Sequence, residues 1–475
     1  MLTTGWRPRR VGVAAAVSLA VAAIPRVLRV GGPDYDWDDG VYWQSLEALR
    51  HGHRLFAEVY SSQPPLFLAG LELPFRLLGG GIVGARLPVV ALSLLGMVAA
   101  YFIGRSWGGP WAGVLAALLM AFDPLYLRLS DVVEADLPSA VWGLVAVALA
   151  AEGRYRHAGD RWWLLAGAAL GLGIQTKLLA VAFVTPVALL AVSGSTRATA
   201  RRLALAGAAA IVVAVAILLP FAGDLGQVYR GVIGLHLGAR VGEPQTLAEK
   251  IDVFGHAGIG PVTLLAAAAG TAVATLLGRG WVVVAAAWLA TALLVDAVQG
   301  PLFTHHVVIV VAPLAVMGGT AIPLAVQAGV ARAPGFFSLL RPVVVAATTV
   351  GVLALVVAVG LVNHPGPADP GTAPLSAAIR AHVPAGTTVV SDNQFAAASA
   401  GFWAPPSLVD TSFARISAGD LDGAQLEQAT DSSQAEAIVF GTNRLMSIPG
   451  FPAWVKSHYR LVDDLGNGRQ VWLRR

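Results

Sequence analysis

Long apolar runs separated by short polar breaks dominate the chain. Residues 203–222 and 343–362 contain no charge at all. Runs at 11–30, 84–104, 111–129, 137–151, 162–175, 178–193, 203–222, 258–278, 281–299, 306–328 and 342–362 predict about eleven membrane-spanning helices, since roughly 20 apolar residues cross the hydrocarbon. The runs lack the two-residue alternation of a membrane barrel, which leaves helices as the way to satisfy the backbone in lipid. Three arginines, Arg7, Arg9 and Arg10, precede the first run. A cleaved signal peptide ending near 22–23 is the alternative reading. An uncleaved span, with Arg26 and Arg29 snorkelling to its outer end, is the expectation.

Two stretches depart from the span pattern. Within 31–83, residues 41–50 read as an amphipathic helix, with Trp43, Leu46 and Leu49 on one side and Gln44, Glu47 and Arg50 on the other. Gly52 ends it, and such a helix lies along the interface. Residues 66–78, interrupted by Pro74, form a second interfacial piece. Beyond residue 365 the composition turns polar after Pro365, Pro367 and Pro370. There 387–391, 437–440 and 470–473 read as strands, and 376–382 and 422–430 as helices. The expected organisation is a polytopic all-α membrane domain over 1–364, with interfacial helices in its first outer loop, and a small α/β domain over 365–475.

Composition and charge sharpen this picture. The chain is 56% hydrophobic and 13% charged, with no cysteine, which removes disulfides, thiolate zinc sites and thiol catalysis. Its net charge of +4 is scattered through short loops, so nucleic acid is not an expected partner. Arg105, the arginines of 154–161, 197–202 and 332–341, and Arg279 share a side with the amino terminus. The acidic loops 31–83 and 130–136 and the tail lie opposite. The positive-inside rule makes the first side cytoplasmic and the second extracytoplasmic. The excess of Arg, Ala, Gly and Pro over Lys and Asn points to a GC-rich bacterial genome, hence to a bacterial plasma membrane.

The chemistry gathers in the outward loops. Asp34, Asp36, Asp38 and Asp39 cluster around "WDDGVYW", and carboxylates held at the bilayer surface have altered basicity. Asp131, Glu134 and Asp136 occupy the next outward loop, any of which could be its functional acid. Lys177 interrupts an apolar run, an expensive placement that marks a functional site. Arg230 and Arg240 fall in an expected loop, 223–257, and His305–His306 open a later span. Adjacent histidines point apart on a helix, which disfavours a two-imidazole metal site. P-loop, dinucleotide and HExxH motifs are absent.

The run "DDGVYW…EALRHGHRLFAEVYSSQPPLF" resembles the first outer loop of the GT-C glycosyltransferases that use polyprenyl-phosphate sugars, including the protein O-mannosyltransferases and the aminoarabinose transferase of lipid A. Asp38, Asp39, Tyr42, Gly52 and the Gln63-Pro64-Pro65-Leu66 segment match its order, with Asp39 where the family often has Glu. Arg86, Asp136, the Gly-rich span ending at Lys177 and the "HHVVIVVAP" span continue the likeness. The resemblance implies a polyprenyl-phosphate sugar donor and a glycan, lipid or protein acceptor. It makes Asp38 the general base, Asp136 the residue orienting a substrate, and Lys177, Arg240, His305 and His306 the cations around the phosphate. Asp39, Tyr42, Gln63, Arg86 and Glu134 are expected around the substrates. No cofactor is required, with Mg or Mn as an optional ion. A transporter is the competing class, and it predicts broken helices in two matching halves; a scaffold whose tail binds a partner is a third.

Overall fold

The computed structural model describes residues 8–157, 159–332 and 369–475. The expected span at 342–362 and most of the proline linker lie outside the described residues. After α1 (Pro8–Arg29), the first loop folds into α2 (Trp37–Arg50) and α3 (Leu66–Leu77). Next come α4 (Gly81–Gly108), α5 (Pro110–Ala121), α6 (Pro124–Leu129), α7 (Asp136–Tyr155) and α8 (Arg161–Thr176). A 3-10 turn, Leu178–Phe183, leads into α9 (Val184–Ala191). α10 (Thr196–Leu218) continues through 3-10 and π turns into α11 (Leu225–Tyr229) and α12 (Leu235–Gly242). α13 (Leu247–His256) and α14 (Pro261–Leu276) meet at 103°. α15 (Trp281–Val298) and α16 (Val308–Arg332) follow.

Among the described residues six helices are long and apolar enough to cross a membrane, or seven if the bent pair forms one span. The expected runs at 111–129, 162–175 and 178–193 fold as shorter helices. Small residues let the backbones approach, as in other membrane bundles. A methyl group on Gly270 of α14 would strike the carbonyl oxygen of Met317 on α16. Asp123, buried between α5 and α6, caps α6 through Leu125 N at 3.1 Å and also accepts from Gly260 N at 2.9 Å and Thr263 Oγ1 at 2.8 Å. One carboxylate thereby fixes both the break after α5 and the start of α14.

Three expectations are corrected. Arg26 and Arg29 do not snorkel: they are 0% and 4% exposed. Arg26 donates to Ser93 and to the carbonyls of Ala22 and Ala121, and Arg29 pairs with Asp131 at 3.2 Å. Arg26 thus finds its acceptors, and Arg29 its counter-charge, within the bundle. The loop expected at 223–257 is mostly helical. The polar side of α2 does not face water either, because Gln44 and Glu47 are buried.

Glu47 accepts from Arg50 and from Gly81 N, and Gln44 is covered by the tail. The tail holds α17 (Thr372–His382), β1 (Val389–Ser391), α18 (Gln394–Ser399), α19 (Phe413–Ser417), α20 (Gly423–Ser432), β2 (Ala437–Phe440), α21 (Phe451–His458), β3 (Tyr459–Gly466) and β4 (Arg469–Arg474). The sheet order is β1-β2-β4-β3, with β1 and β2 parallel and the other pairs antiparallel. β3 escapes a reading by alternation because it is an edge strand, mostly exposed and bulged at two points. α18 packs on α2: Gln44 Nε2 donates to the carbonyls of Gln394 and Phe402, and Gln44 Oε1 accepts from Ala404 N. Gly40 makes the approach possible, since a Cβ there would collide with Phe395 N and sit 3.0 Å from the Gln394 carbonyl carbon. Trp43 meets Phe395 and Trp403 edge-on at 5.5 and 6.3 Å.

Candidate active site

Asp36 is the N-cap of α2, accepting from Asp38 N at 3.2 Å, and Asp38 and Asp39 fill the first turn. Carboxylates are favoured at this end of a helix by the capping bond and the helix dipole. Neighbours on a helix project about 100° apart, so the two aspartates have different fates. Asp39 turns inward and is fully buried against Arg86, at 2.6 Å, and it also accepts from Val133 N at 2.7 Å. Arg86 spends its remaining donors on the carbonyls of Val30, Gly32 and Pro33. Asp38 turns the other way, into a cavity of about 530 Å³. Its carboxylate accepts no hydrogen bond from the described residues.

The segment between α1 and α4 contributes Asp36, Trp37, Tyr42, Ser62 and Gln63 to this cavity. The membrane helices contribute Lys177, His236, His305 and His306, and the tail adds Asp410, Phe413 and Arg444. Lys177 sits where α8 stops, in extended conformation (φ −158°, ψ 143°) before the 3-10 turn. That break gives the ammonium its reach: Nζ donates to Asp136 Oδ2 at 2.7 Å, and Asp136 is the first residue of α7. His306 Nε2 lies 3.9 Å from the other oxygen of Asp136. His305 Nδ1 lies 3.8 Å from Asp36 and 4.0 Å from Glu134.

Both histidines therefore serve the same site, contrary to the expectation that they point apart. Residues Thr304–Val307 form a 3-10 turn rather than an α-helix, and the two rings stand 4.6 Å apart. The acids of the second loop also separate. Asp131 is committed to Arg29, Glu134 is buried beside His305, and Asp136 is the partner of Lys177. Arg240 is exposed and packs against Gly300, and neither it nor the Asp39–Arg86 pair lines the cavity.

The electrostatics separate the carboxylates further. Burial pushes Asp38 up to about 7, against the pull of His305 and with a push from Asp36. Burial acts on Asp36 too, but the neighbouring His305 outweighs it and holds that carboxyl below its ordinary value. Glu134 is raised well above the usual range by burial and by Asp136. Two sets of atoms could take a cation: Asp136 with His305 and His306, and Asp36 with Glu134 and His305, the ligating atoms of each lying within 4.8 Å of one another. The unbonded oxygens of Glu134 and Oδ1 of Asp136 fit such an ion, and the mixed carboxylate–imidazole donors suit Mn²⁺ or Zn²⁺ better than Mg²⁺. Asp410 and Arg444 were not anticipated, since the tail carries no motif that marks them. His236 was hidden in an expected loop.

The fold is similar to that of several solved membrane transferases. Residues 62–222 match the family described as dolichyl-phosphate-mannose-protein mannosyltransferase. ArnT from Cupriavidus metallidurans, bound to undecaprenyl phosphate, superposes with a TM-score of 0.61 at 17% identity over 98% of each chain. The Archaeoglobus fulgidus oligosaccharyltransferase in complex with Zn and sulfate gives 0.59 at 13% identity, over 97% of this chain and 73% of that one. Arabinofuranosyltransferase AftD from Mycobacteria gives 0.55 at 15% identity, over 99% and 40%. No curated protein sequence matches the chain.

Proposed function

We propose that the protein transfers a sugar from a polyprenyl-phosphate donor to an acceptor hydroxyl at the extracytoplasmic face of a bacterial plasma membrane, inverting the anomeric centre. The observation that carries this reading is Asp38: a carboxylate without a hydrogen-bond partner, with its pKa raised to about 7, sharing a cavity with the ammonium of Lys177. A general base works best when its pKa lies near the operating pH, and a well-placed one contributes roughly 10²–10⁴-fold. The acceptor oxygen attacks the anomeric carbon as Asp38 takes its proton. The bond from that carbon to the phosphate oxygen breaks, and the polyprenyl phosphate leaves with the electron pair. Its charge needs fixed cations rather than a general acid. Lys177 with His305 supplies them, Asp136 orients the ammonium, and His306 offers a ring N–H beside it. Tyr42 and Gln63 line the space for the sugars.

The undecaprenyl phosphate bound by the Cupriavidus protein supports a lipid phosphate as the shared leaving group. The positive-inside distribution of arginines supports a cytoplasmic amino terminus and an extracytoplasmic tail. The chemistry needs no cofactor. A divalent ion at either carboxylate–histidine set would add charge beside the leaving phosphate.

The test is reconstitution in liposomes with radiolabelled undecaprenyl-phosphate sugars, comparing the parent with Asp38→Asn. Transfer in the parent and its loss in a folded Asp38→Asn protein are expected, with activity surviving EDTA. Equal transfer by both proteins would remove Asp38 from its role. Passage of an intact solute across the vesicle wall without transfer would favour the transporter.

A further inference from the structure

The membrane bundle supplies the floor of the cavity and the tail supplies its roof, where Arg444 has an unusual environment. Its guanidinium lies over the Trp37 ring at 3.3 Å, with the Phe413 ring at 5.2 Å. It makes no hydrogen bond or ion pair with any described residue, and Nε and Nη1 are buried without a partner. Buried donors without acceptors are costly and uncommon in native structures. The loop that carries Arg444 is nonetheless rigidly held. Asp392, fully buried, accepts from the backbone nitrogens of Gly441 at 2.6 Å, Thr442 at 3.0 Å and Leu445 at 3.1 Å. A guanidinium stacked on an aromatic face has its in-plane edge left for recognition.

The charge around it says what that edge meets. Asp36, Asp38, Asp392 and Asp410 all act on Arg444 through space. A bound phosphate or carboxylate would face the same acids. What is missing is neutral oxygen lone pairs. Asp410 lines the same roof, and its Oδ1 accepts from Ser412 N at 2.8 Å. Phe413, also on the roof, is 42% exposed and offers an apolar face. A guanidinium edge, a carboxylate and an aromatic face complement a sugar ring, whose hydroxyls both donate and accept and whose C–H groups pack on the aromatic surface.

Resting on the transferase reading above, we propose that Arg444 and Asp410 form an acceptor subsite for an uncharged carbohydrate, so that the acceptor is a glycan hydroxyl. Lys177 belongs to the donor phosphate at the membrane end, and Arg444 holds the acceptor ring at the outer end, with Asp38 between them.

The test uses the full-length protein in liposomes with an undecaprenyl-phosphate sugar donor and three acceptor probes: methyl glycosides of neutral sugars, a serine-containing peptide and a phosphate-bearing glycolipid. Transfer to the methyl glycosides is expected. Arg444→Ala raises their KM roughly 10–100-fold, the range for losing hydrogen bonds from a charged group. Its kcat and its affinity for undecaprenyl phosphate stay within about twofold of the parent, and the unchanged affinity certifies the fold. Arg444→Lys, which keeps the charge and lacks the planar edge, recovers only part of the loss. Preference for the peptide or the phosphate-bearing lipid, an unchanged KM in Arg444→Ala, or weakened binding of undecaprenyl phosphate would each overturn the proposal. A parent that transfers sugar to none of the probes and hydrolyses no donor would instead sink the transferase reading itself.

Discussion

Asp39 and Arg86 resemble substrate ligands in the sequence, and their burial assigns them a different task that a double-mutant cycle can measure. Arg86 makes five hydrogen bonds, two to Asp39 and three to the carbonyls of residues 30, 32 and 33. Both side chains are 0% exposed. Arg86→Met leaves Asp39 buried with backbone donors alone, Val133 N at 2.7 Å and Tyr35 N at 3.4 Å. Removing one partner of such a pair costs about 3–5 kcal/mol, whereas replacing both with apolar groups of similar volume is often neutral. Arg86→Met and Asp39→Leu should each destabilise by that amount, and the double variant should cost no more than one of them, so that it is more stable than their sum by at least about 3 kcal/mol. Unfolding free energies in mixed micelles give the cycle, and undecaprenyl phosphate affinity of the folded double variant tests ligand contact. Additivity within about 0.5 kcal/mol would refute the clamp. A tenfold or greater loss of lipid phosphate affinity in a stable double variant would return the pair to the substrates.

The remaining predictions concern the cavity and its roof. Asp38, raised to about 7, is protonated below that value and unable to accept a proton. With chelator present, kcat/KM should therefore climb tenfold per pH unit below about 7 and level off above it; a flat profile from pH 5 to 8 would contradict the assignment. Lys177→Met removes the donor 2.7 Å from Asp136 and should weaken undecaprenyl phosphate binding by roughly 10–100-fold. Lys177→Met/Asp136→Asn should restore stability without restoring affinity, and recovery of both would make the pair purely structural. Gly40→Ala places a methyl group on the Phe395 backbone and should loosen the tail, read as faster proteolysis after residue 369 with transfer reduced at least tenfold. Parent-like resistance in that variant would show that the contact gives way.

The sequence carried the membrane character, the acid cluster after the first span and the likeness of the first loop, because each rests on local pattern. Asp38 was legible for that reason, as was Lys177, whose charge stands out in an apolar run. The division of labour between Asp38 and Asp39 was not, since it depends on which way each points from one helical turn and on Arg86, 47 residues away. The shared orientation of His305 and His306 follows from a 3-10 turn that residue type does not announce. Arg26 and Arg29 escape the span rule because it treats a helix alone, whereas their partners come from α4, α5 and the loop between α6 and α7. Arg444 and Asp410 were invisible for the same reason at longer range: they become site residues only when the tail folds back onto α2.

That fold-back has a bearing on how the protein is made. Gln44 is fastened to carbonyls 350 and 358 positions further along the chain. A ribosome emits α2 about 350 residues before the segment that docks on it. Until that later segment has been synthesised and docked, the cavity beside Asp38 lacks the wall that Asp410, Phe413 and Arg444 supply. On the function proposed above, assembly order would act as a safeguard, because a half-made copy could meet lipid-linked sugar in the bilayer yet lack a complete site.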